Sequence, residues 1–270
     1  MNSIRRLDLA GIQTLLDWAA AEGWNPGLDD AEPFRAADPS GFFGLFSGER
    51  LAAGISVVAY DDRFAFLGLY ICHQDFRGQG LGRAIWNAGM AYAGDRVVGL
   101  DGVPEQQANY RRMGFSTRYE TVRMAGRLRG GQPARHEIVP LPSIESIREL
   151  DRTCFPAARD GFLQTWISRP RQALMAVRDG RVMGYMVTRR CRQGQKIGPL
   201  FAANAEVAFD LLGAVEGDVQ IDVPVDQTAM VRHLEQSGFT SQFGTARMYR
   251  GPAPGNRLDW VFGVTTLELG

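Results

Sequence analysis

The two halves of the chain carry the same short sequence patterns in the same order. Three pairs of segments correspond: Gly48–Gly54 with Asp179–Gly184, Leu100–Pro104 with Ile221–Pro224, and Gly114-Phe115 followed by Thr121–Met124 with Gly238-Phe239 followed by Thr245–Met248. Chance can supply one such match, but three in order indicate duplication of one structural unit. We predict two tandem domains at residues 1–127 and 136–270, joined by a Gly-, Pro- and Arg-containing linker at residues 128–135.

Composition excludes several classes of function. The 270 residues include 45% hydrophobic residues, enough for a core in each half, and 30 basic residues balance 30 acidic ones. This neutrality gives no support for binding nucleic acid or a membrane surface. Three cysteines without a Cys/His cluster predict no metal site, and the absence of a signal-like or membrane-spanning segment makes the cytoplasm the expected location.

Hydrophobic periodicity predicts an α+β fold in both halves. In the first half we expect helices at residues 9–21, 29–37, 81–93 and 105–113, and strands at 42–46, 51–60, 64–72, 97–100 and 116–124. In the second half we expect helices at 143–153, 163–167, 206–214 and 228–236, strands at 173–177, 182–188 and 219–223, and a strand-like tail at 259–269. Each domain should therefore be a mixed, mostly antiparallel sheet flanked by helices.

A glycine-rich loop lies directly between a predicted strand and a predicted helix. Its residues are Arg77, Gly78, Gln79, Gly80, Leu81, Gly82 and Arg83. Glycines allow a tight turn and close approach of the backbone to a ligand, and the free N–H groups of a helix start attract an anion. The pattern predicts a diphosphate site, but the spacing fits neither the Rossmann fingerprint nor a Walker A loop.

The loop resembles the acyl-CoA pyrophosphate loop of the GNAT (GCN5-related) N-acetyltransferase superfamily, Arg/Gln-x-x-Gly-x-Gly/Ala, at Arg77, Gly80 and Gly82. The order of elements over residues 1–126 and the ending Tyr110–Phe115 resemble the same family. Tandem bacterial acetyltransferases with a stretch like Gly23–Gly27 are similar over the whole chain. The resemblance implies two GNAT-like domains, with acetyl-CoA as cosubstrate and no metal.

The resemblance also implies roles for individual residues. Tyr110 is the expected general acid for the departing thiolate, and the backbone of the fourth strand at Tyr70, Ile71 and Cys72 is expected to hold the pantetheine and polarise the thioester carbonyl. Asp101, at the end of the fifth strand, is the first choice for the general base, although Asp222 occupies the matching place in the second half, and Glu105 is a second option. A nucleophilic Cys72 is disfavoured because no positioned basic partner other than His73 is evident.

The second half resembles a GNAT domain that has lost its cofactor loop. We expect residues 196–202 at the place of the loop, with Pro199 removing an N–H donor, and Leu234 stands where the first half has its tyrosine. The expected function is transfer of the acetyl group of acetyl-CoA to a primary amine by direct attack in a ternary complex. The alternatives are a non-catalytic acyl-CoA-binding or sensing protein and an interaction scaffold. The expected acceptor is a small-molecule amine or else a protein amine, and the expected assembly is a monomer or homodimer.

Overall fold

The computed structural model describes residues 2–270, and the first half forms six strands and four helices within that range. The strands are Asn2–Arg6 (β1), Phe42–Ser47 (β2), Arg50–Ala59 (β3), Phe64–Cys72 (β4), Val97–Gly102 (β5) and Ser116–Arg129 (β6). The helices are Leu9–Ala21 (α1), Ala31–Ala37 (α2), Leu81–Ala93 (α3) and Pro104–Arg112 (α4). Helix α1 begins where the Asp8 carboxylate accepts the N–H of Gly11, as expected for an N-cap aspartate.

The second half repeats this order of elements. Its strands are Glu137–Pro140 (β7), Gln172–Arg178 (β8), Arg181–Arg190 (β9), Gln195–Ala202 (β10), Glu216–Pro224 (β11), Thr240–Arg250 (β12) and Val261–Gly263 (β13). Its helices are Arg148–Cys154 (α5), Asp160–Trp166 (α6), Ala205–Gly213 (α7) and Thr228–Gln236 (α8). None of the helices among the described residues has the length and apolar character needed to cross a bilayer.

All strands of the described residues belong to one continuous sheet. The order is β1-β2-β3-β4-β5-β12-β6-β11-β10-β9-β8-β7, with β13 added beside β10. The α+β prediction is confirmed, and the sheets of the two halves are joined rather than separate. The two halves are joined by an exchange of their sixth strands. Strand β12 of the second half pairs with β5 of the first, and β6 of the first half pairs with β11 of the second.

Two buried ion pairs hold the exchanged strands. Arg123 of β6 donates two hydrogen bonds to Asp222 of β11, at 2.8 and 2.9 Å. Arg247 of β12 donates two to Asp101 of β5, both at 2.8 Å. The arginines occupy the same place in the repeated Thr-x-Arg-Met pattern, and the aspartates occupy the same place in the other repeat. The four ion-pair residues that join the two halves therefore lie within the sequence repeats that indicate the duplication.

The segment Gly23–Gly27 also ties the halves together. The Asn25 side chain donates to the Gln193 carbonyl and to Gln220, at 3.1 and 3.0 Å, and accepts the backbone N–H of Gln193. The Trp24 carbonyl accepts hydrogen bonds from Arg123 and Lys196. A stretch noticed in the sequence for its resemblance to tandem proteins thus acts as a connector between the two units.

Several elements differ from the sequence-based predictions. Strand β6 continues to Arg129, two residues into the predicted linker, and residues 130–136 carry no helix or strand. Strands β1, β7, β10 and β12 were not predicted, because β1 is exposed throughout, β7 is short, β10 contains Pro199 and β12 contains Gly244. The strand-like tail forms a strand only at 261–263.

We expect the interior ion pair between Arg123 and Asp222 to control the stability of the joint. Replacing Arg123 by Met leaves a buried carboxylate without its partner, so the free energy of unfolding should fall by about 3–5 kcal/mol. The double variant Arg123→Met/Asp222→Leu should recover much of this loss, because two apolar side chains can replace a buried pair.

The control is the exposed pair Arg127–Asp218 on the same two strands. Removing it with Arg127→Met should cost less than about 1 kcal/mol. Urea unfolding followed by circular dichroism measures all three variants. Equal losses for Arg123→Met and Arg127→Met would contradict the role of the buried pair.

Candidate active site

A cleft opens where strands β4 and β5 diverge. The two strands pair in parallel from Phe64 opposite Val97 to Leu67 opposite Leu100, and the pairing stops there. Just beyond, β4 contains a bulge relative to β3, and Leu69 adopts a positive φ of 45°. Bulges bend a strand and re-aim its backbone groups, and they are common beside active sites. Strand β4 therefore splays away from β5, and the bulge lies beside the point where the two strands separate.

The cleft has a volume of about 570 Å³ and receives residues from both halves. Strand β4 lines it from Leu67 to Cys72, and α4 with the residue before it supplies Val103, Glu105, Gln106 and Tyr110. The exchanged strand β12 supplies Phe243 and Thr245, and the C-terminal segment supplies Leu267 and Glu268. Tyr70, Ile71, Cys72, Glu105 and Tyr110 of the first set were predicted from the sequence. The second set was not, because only the strand exchange and the path of the C-terminal segment bring the second half to this cleft.

The backbone of β4 presents a hydrogen-bond donor to the cleft. The N–H of His73 donates to the Ala52 carbonyl of β3 at 2.9 Å. Successive N–H groups of a strand point to opposite sides, so the N–H of Ile71 faces β3 and those of Cys72 and Tyr70 face the opening towards β5. Of the three strand residues named from the sequence, Tyr70 and Cys72 therefore direct an N–H to the opening, whereas Ile71 does not.

The glycine-rich loop leads from the end of β4 into α3 with its N–H groups free. Gly78 and Gly80 have φ of 76° and 78°, a region that favours glycine, and a Cβ at either position would meet nothing within 4 Å. Helix α3 has Gly80 as its N-cap and no capping side chain. Within residues 2–270, no group accepts a hydrogen bond from the backbone N–H groups of residues 78–83. The loop thus offers open space and unpaired donors at a helix start.

The arginines that flank the loop differ in their engagement. Arg77 donates to the Cys72 carbonyl at 3.0 Å and pairs with Glu22, so its guanidinium closes one end of the cleft. Arg83 is exposed, and no carboxylate of the described residues pairs with it. Arg83 is therefore the cation of the loop that stays available to an anionic ligand.

Tyr110 lies in the cleft wall, 7% exposed, with its ring stacked on Trp86 at 5.7 Å between centroids. Burial raises the pKa of its hydroxyl, and Tyr70 adds to the rise. The Tyr110 hydroxyl is consequently protonated at neutral pH and able to donate a hydrogen bond.

Asp101 also lines the cleft, but both of its oxygens accept hydrogen bonds from Arg247. Burial raises the pKa of Asp101, and Arg247 opposes this rise. The matching Asp222 forms the same pair with Arg123 in the half that lacks the glycine-rich loop. To act as a general base, Asp101 would therefore have to accept a proton on an oxygen that is already bonded to Arg247.

The remaining candidates are accounted for by their surroundings. Glu105 is exposed at the cleft mouth, and Glu22 pairs with Arg77. Cys72 is a partly buried thiol whose Sγ contacts the Ala52 carbonyl at 3.6 Å, and the His73 ring packs against Trp18 and Phe76. Among the aromatic side chains of the first half, Trp24 lines the cleft, whereas Phe42 is in the core.

The second half has no counterpart of the loop. Residues 196–202, expected at the loop position, belong to strand β10, and only Ala203 and Asn204 separate β10 from α7. The Asn204 side chain accepts the Val207 N–H at 3.1 Å, so the start of this helix is already capped. The region between β10 and β11 is filled by β13, and the Val264 N–H donates to the Asp222 carbonyl. In residues 2–270 there is also no group of three His, Cys, Asp or Glu side chains arranged to hold a metal ion.

Comparison with known families and curated proteins gives consistent matches. The family described as "Acetyltransferase (GNAT) family" matches residues 9–115, and that described as "Acetyltransferase (GNAT) domain" matches residues 147–263. The holothin acyltransferase of Pseudoalteromonas sp. (strain SANK 73390) is 32% identical over 267 residues, covering 96% of this chain and 91% of that protein. The uncharacterized N-acetyltransferase YitH of Bacillus subtilis (strain 168) is 25% identical, covering 84% of each.

Solved structures share the fold. A putative acetyltransferase from Pyrococcus horikoshii has a TM-score of 0.85 at 18% identity, covering 100% of this chain and 96% of that one. A tandem GNAT protein from the clavulanic acid biosynthesis pathway has a TM-score of 0.65 at 17% identity, covering 94% and 100%. At these identities the likeness establishes the fold, with both halves included.

The cysteines should be poor nucleophiles at neutral pH. Burial raises the pKa of Cys72, against a lowering by Arg77, and burial also raises the pKa of Cys154 and Cys191. Because a raised pKa confines the thiolate to higher pH, iodoacetamide should alkylate Cys72 more slowly than it does glutathione at pH 7.5, and the rate should still be rising at pH values where the rate for glutathione has levelled off. Peptide mass spectrometry of timed samples measures the rates. Labelling of Cys72 at pH 7 that outpaces glutathione would contradict this assignment and reopen a covalent mechanism.

Proposed function

The chain belongs to the GNAT acetyltransferase family, and we propose that it transfers the acetyl group of acetyl-CoA to the primary amine of a small molecule. The amine would attack the thioester directly in a ternary complex. The observation that carries the proposal is that three features surround one cleft: a loop with unpaired backbone N–H groups, a strand that splays from its neighbour, and a buried tyrosine. Each of these parts matches one chemical need of a thioester substrate carrying a diphosphate.

The residues present fit an acyl-CoA. The unpaired N–H groups of residues 78–83 and the exposed Arg83 suit two phosphates, because a helix start favours anions and arginine forms charge-assisted hydrogen bonds. The β4 backbone at Tyr70 and Cys72 suits the amide groups of pantetheine. The Cys72 N–H would donate to the thioester oxygen, where charge develops as the amine attacks.

Tyr110 would assist the departure of the thiolate. An alkyl thiol has a pKa of about 8.5, well below the raised pKa of the buried Tyr110 hydroxyl, so complete proton transfer before bond breaking is uphill. We therefore propose that Tyr110 donates a hydrogen bond that strengthens as charge develops on sulfur, and gives up its proton only as the C–S bond breaks. The stacking of Tyr110 on Trp86 fixes the position from which it donates.

The acceptor side of the cleft would be formed mainly by Trp24, Phe243 and Leu267. These side chains suit a compact, partly apolar molecule, and one relative is named holothin acyltransferase. We accordingly propose a small-molecule amine, and holothin is the first compound to test. The three cysteines are free thiols, which supports a reducing compartment such as the cytoplasm.

The function is tested by assaying free thiol release from acetyl-CoA with holothin and with a panel of amino acids, polyamines and aminoglycosides. Product mass spectrometry identifies the acyl group on the amine. Isothermal titration of the protein with acetyl-CoA provides an acceptor-independent check. Absence of both acetyl-CoA binding and turnover would refute the transferase, whereas binding without turnover on any amine would favour a binding or sensing protein.

Gly80→Val should weaken acetyl-CoA binding by at least about tenfold. A side chain at φ 78° carries roughly 1–2 kcal/mol of strain, and its Cβ would enter the space in front of the free N–H groups. The matched control is Gly238→Val, because Gly238 has φ 83° and equally open surroundings but follows α8 in the second half. Titration calorimetry should show a loss for Gly80→Val alone, and equal affinities in the two variants would count against the loop as the diphosphate site.

Tyr110→Phe should lower kcat by about 10²-fold, at the low end of the effect of a positioned acid, and should leave acetyl-CoA affinity unchanged. The ring and its stacking on Trp86 are retained, so only the hydroxyl is removed. Tyr249→Phe serves as the control, because Tyr249 is also buried but does not line the cleft. Steady-state kinetics decide the outcome, and a Tyr110→Phe enzyme as fast as the control would show that the hydroxyl has no part in catalysis.

A further inference from the structure

The C-terminal segment crosses from the second half into the cleft of the first. Strand β13 pairs with β10, and Val264 binds the Asp222 carbonyl of β11, so the segment starts in the gap between the two strands that correspond to β4 and β5. It then passes over β4, where the Glu268 backbone lies so close to Gly68 that a Cβ there would stand 2.0 Å from the Glu268 carbonyl oxygen. The Tyr60 hydroxyl donates to the Leu269 carbonyl at 2.9 Å and fixes the end of this path.

Glu268 is held in the cleft wall without a hydrogen-bond partner. The residue is 2% exposed and lines the cleft, yet neither carboxyl oxygen is bonded to any group of the described residues. Burying a carboxyl group without a partner is costly, so its presence calls for an explanation such as a ligand or a catalytic role. Thr245, which also lines the cleft, has a buried Oγ1 without a partner, so two residues of the second half bring unpartnered polar side chains to the cleft wall.

The other carboxyl groups of the cleft are less suited to accept a proton. Both oxygens of Asp101 are occupied by Arg247, Glu22 is paired with Arg77, and Glu105 lies exposed at the mouth. Glu268 alone among these four combines deep burial with free oxygens.

The surroundings of Glu268 contain charge but no direct ion pair. Its charge acts on Arg123 of β6, Arg189 of β9, Lys196 of β10 and Cys191. Burial lowers the pKa of Lys196 to about 8, with Arg123 adding to the lowering and Asp222 and Glu268 opposing it. These cations engage other acceptors, since Arg123 binds Asp222 and Lys196 binds the Trp24 carbonyl. They supply a positive environment for Glu268 without occupying its oxygens.

We propose that Glu268 is the general base of the reaction, delivered into the working cleft by a segment that the second half anchors. This inference rests on the transferase function proposed above. As the amine nitrogen bonds to the thioester carbon, one N–H proton passes to the Glu268 carboxylate. The C–S bond then breaks and sulfur takes the Tyr110 proton. Glu268 releases its proton to solvent and Tyr110 regains one, so the net reaction converts amine and thioester to amide and thiol.

The proposal also gives the second half a function. Its own cleft lacks a loop and holds β13 instead of a ligand, so the gap between β10 and β11 acts as a binding site for the chain's own C-terminal segment. Gly198 allows this packing, because a Cβ at that position would lie 2.3 Å from the Thr265 carbonyl oxygen. Gly68 has the same role in the first half.

The test replaces Glu268 by Gln, which keeps the shape and removes the base. Turnover with the acceptor found in the amine panel should fall by about 10²–10⁴-fold, the range for loss of a positioned base, with unchanged acetyl-CoA affinity. Slow hydrolysis of acetyl-CoA measured without amine should fall as well, because the same base would activate water. The hydrolysis assay contains no amine whose ionisation could affect the rate. The acidic limb of its pH–rate profile should disappear in Glu268→Gln.

Glu235→Gln is the matched control, because Glu235 is exposed on α8. The melting temperature of Glu268→Gln should be no lower than that of wild type, since a buried carboxyl without a partner is removed. Turnover within threefold of wild type, an acidic limb that persists at reduced amplitude, or loss of acetyl-CoA binding would each overturn the assignment. If the wild-type protein itself binds no acetyl-CoA, the proposed function fails first, and the two failures are thereby distinguished.

Discussion

The exchange of strands β6 and β12, fixed by two buried arginine–aspartate pairs, is the constraint on which the rest of the structure depends. Arg123 and Asp222 are 99 residues apart in sequence, and Arg247 and Asp101 are 146 apart. Each pair joins the fifth strand of one half, β5 or β11, to the sixth strand of the other half, β12 or β6. A buried ion pair contributes little net stability against apolar substitutes, but a lone partner is strongly penalised, so the pairs specify which strands meet.

The exchange explains why a half without a cofactor loop is kept intact. Strand β12 completes the sheet beside β5 and at the same time brings Phe243 and Thr245 to the wall of the cleft. The first half by itself would lack both a strand of its sheet and one side of its pocket. After duplication and exchange, the glycine-rich loop lies in one half and part of the cleft wall comes from the other.

What could be predicted from the sequence was local. The loop from Arg77 to Arg83, helix α3 and the position of Tyr110 follow from residues that are neighbours in the chain, and glycine spacing and hydrophobic periodicity report such features directly. The sequence repeat predicted duplication but not exchange, because two strands that share a pattern can pair within a half or across halves. Glu268 could not be found at all, since its chain neighbours carry no motif and its burial depends on Gly68 and on the path of the tail.

The placement of Glu268 links stability to activity. A carboxyl group without hydrogen bonds is tolerated in a wall that is otherwise well packed only if the segment that carries it is held by contacts elsewhere. Those contacts are the pairing of β13 with β10, the Val264 bond to Asp222 and the Tyr60 bond to Leu269. The gap between β10 and β11 therefore holds the segment that keeps the unpartnered Glu268 carboxyl in the wall of the cleft of the first half. The second half has no glycine-rich loop, and this is a condition for the arrangement, because a ligand bound between β10 and β11 would displace the tail.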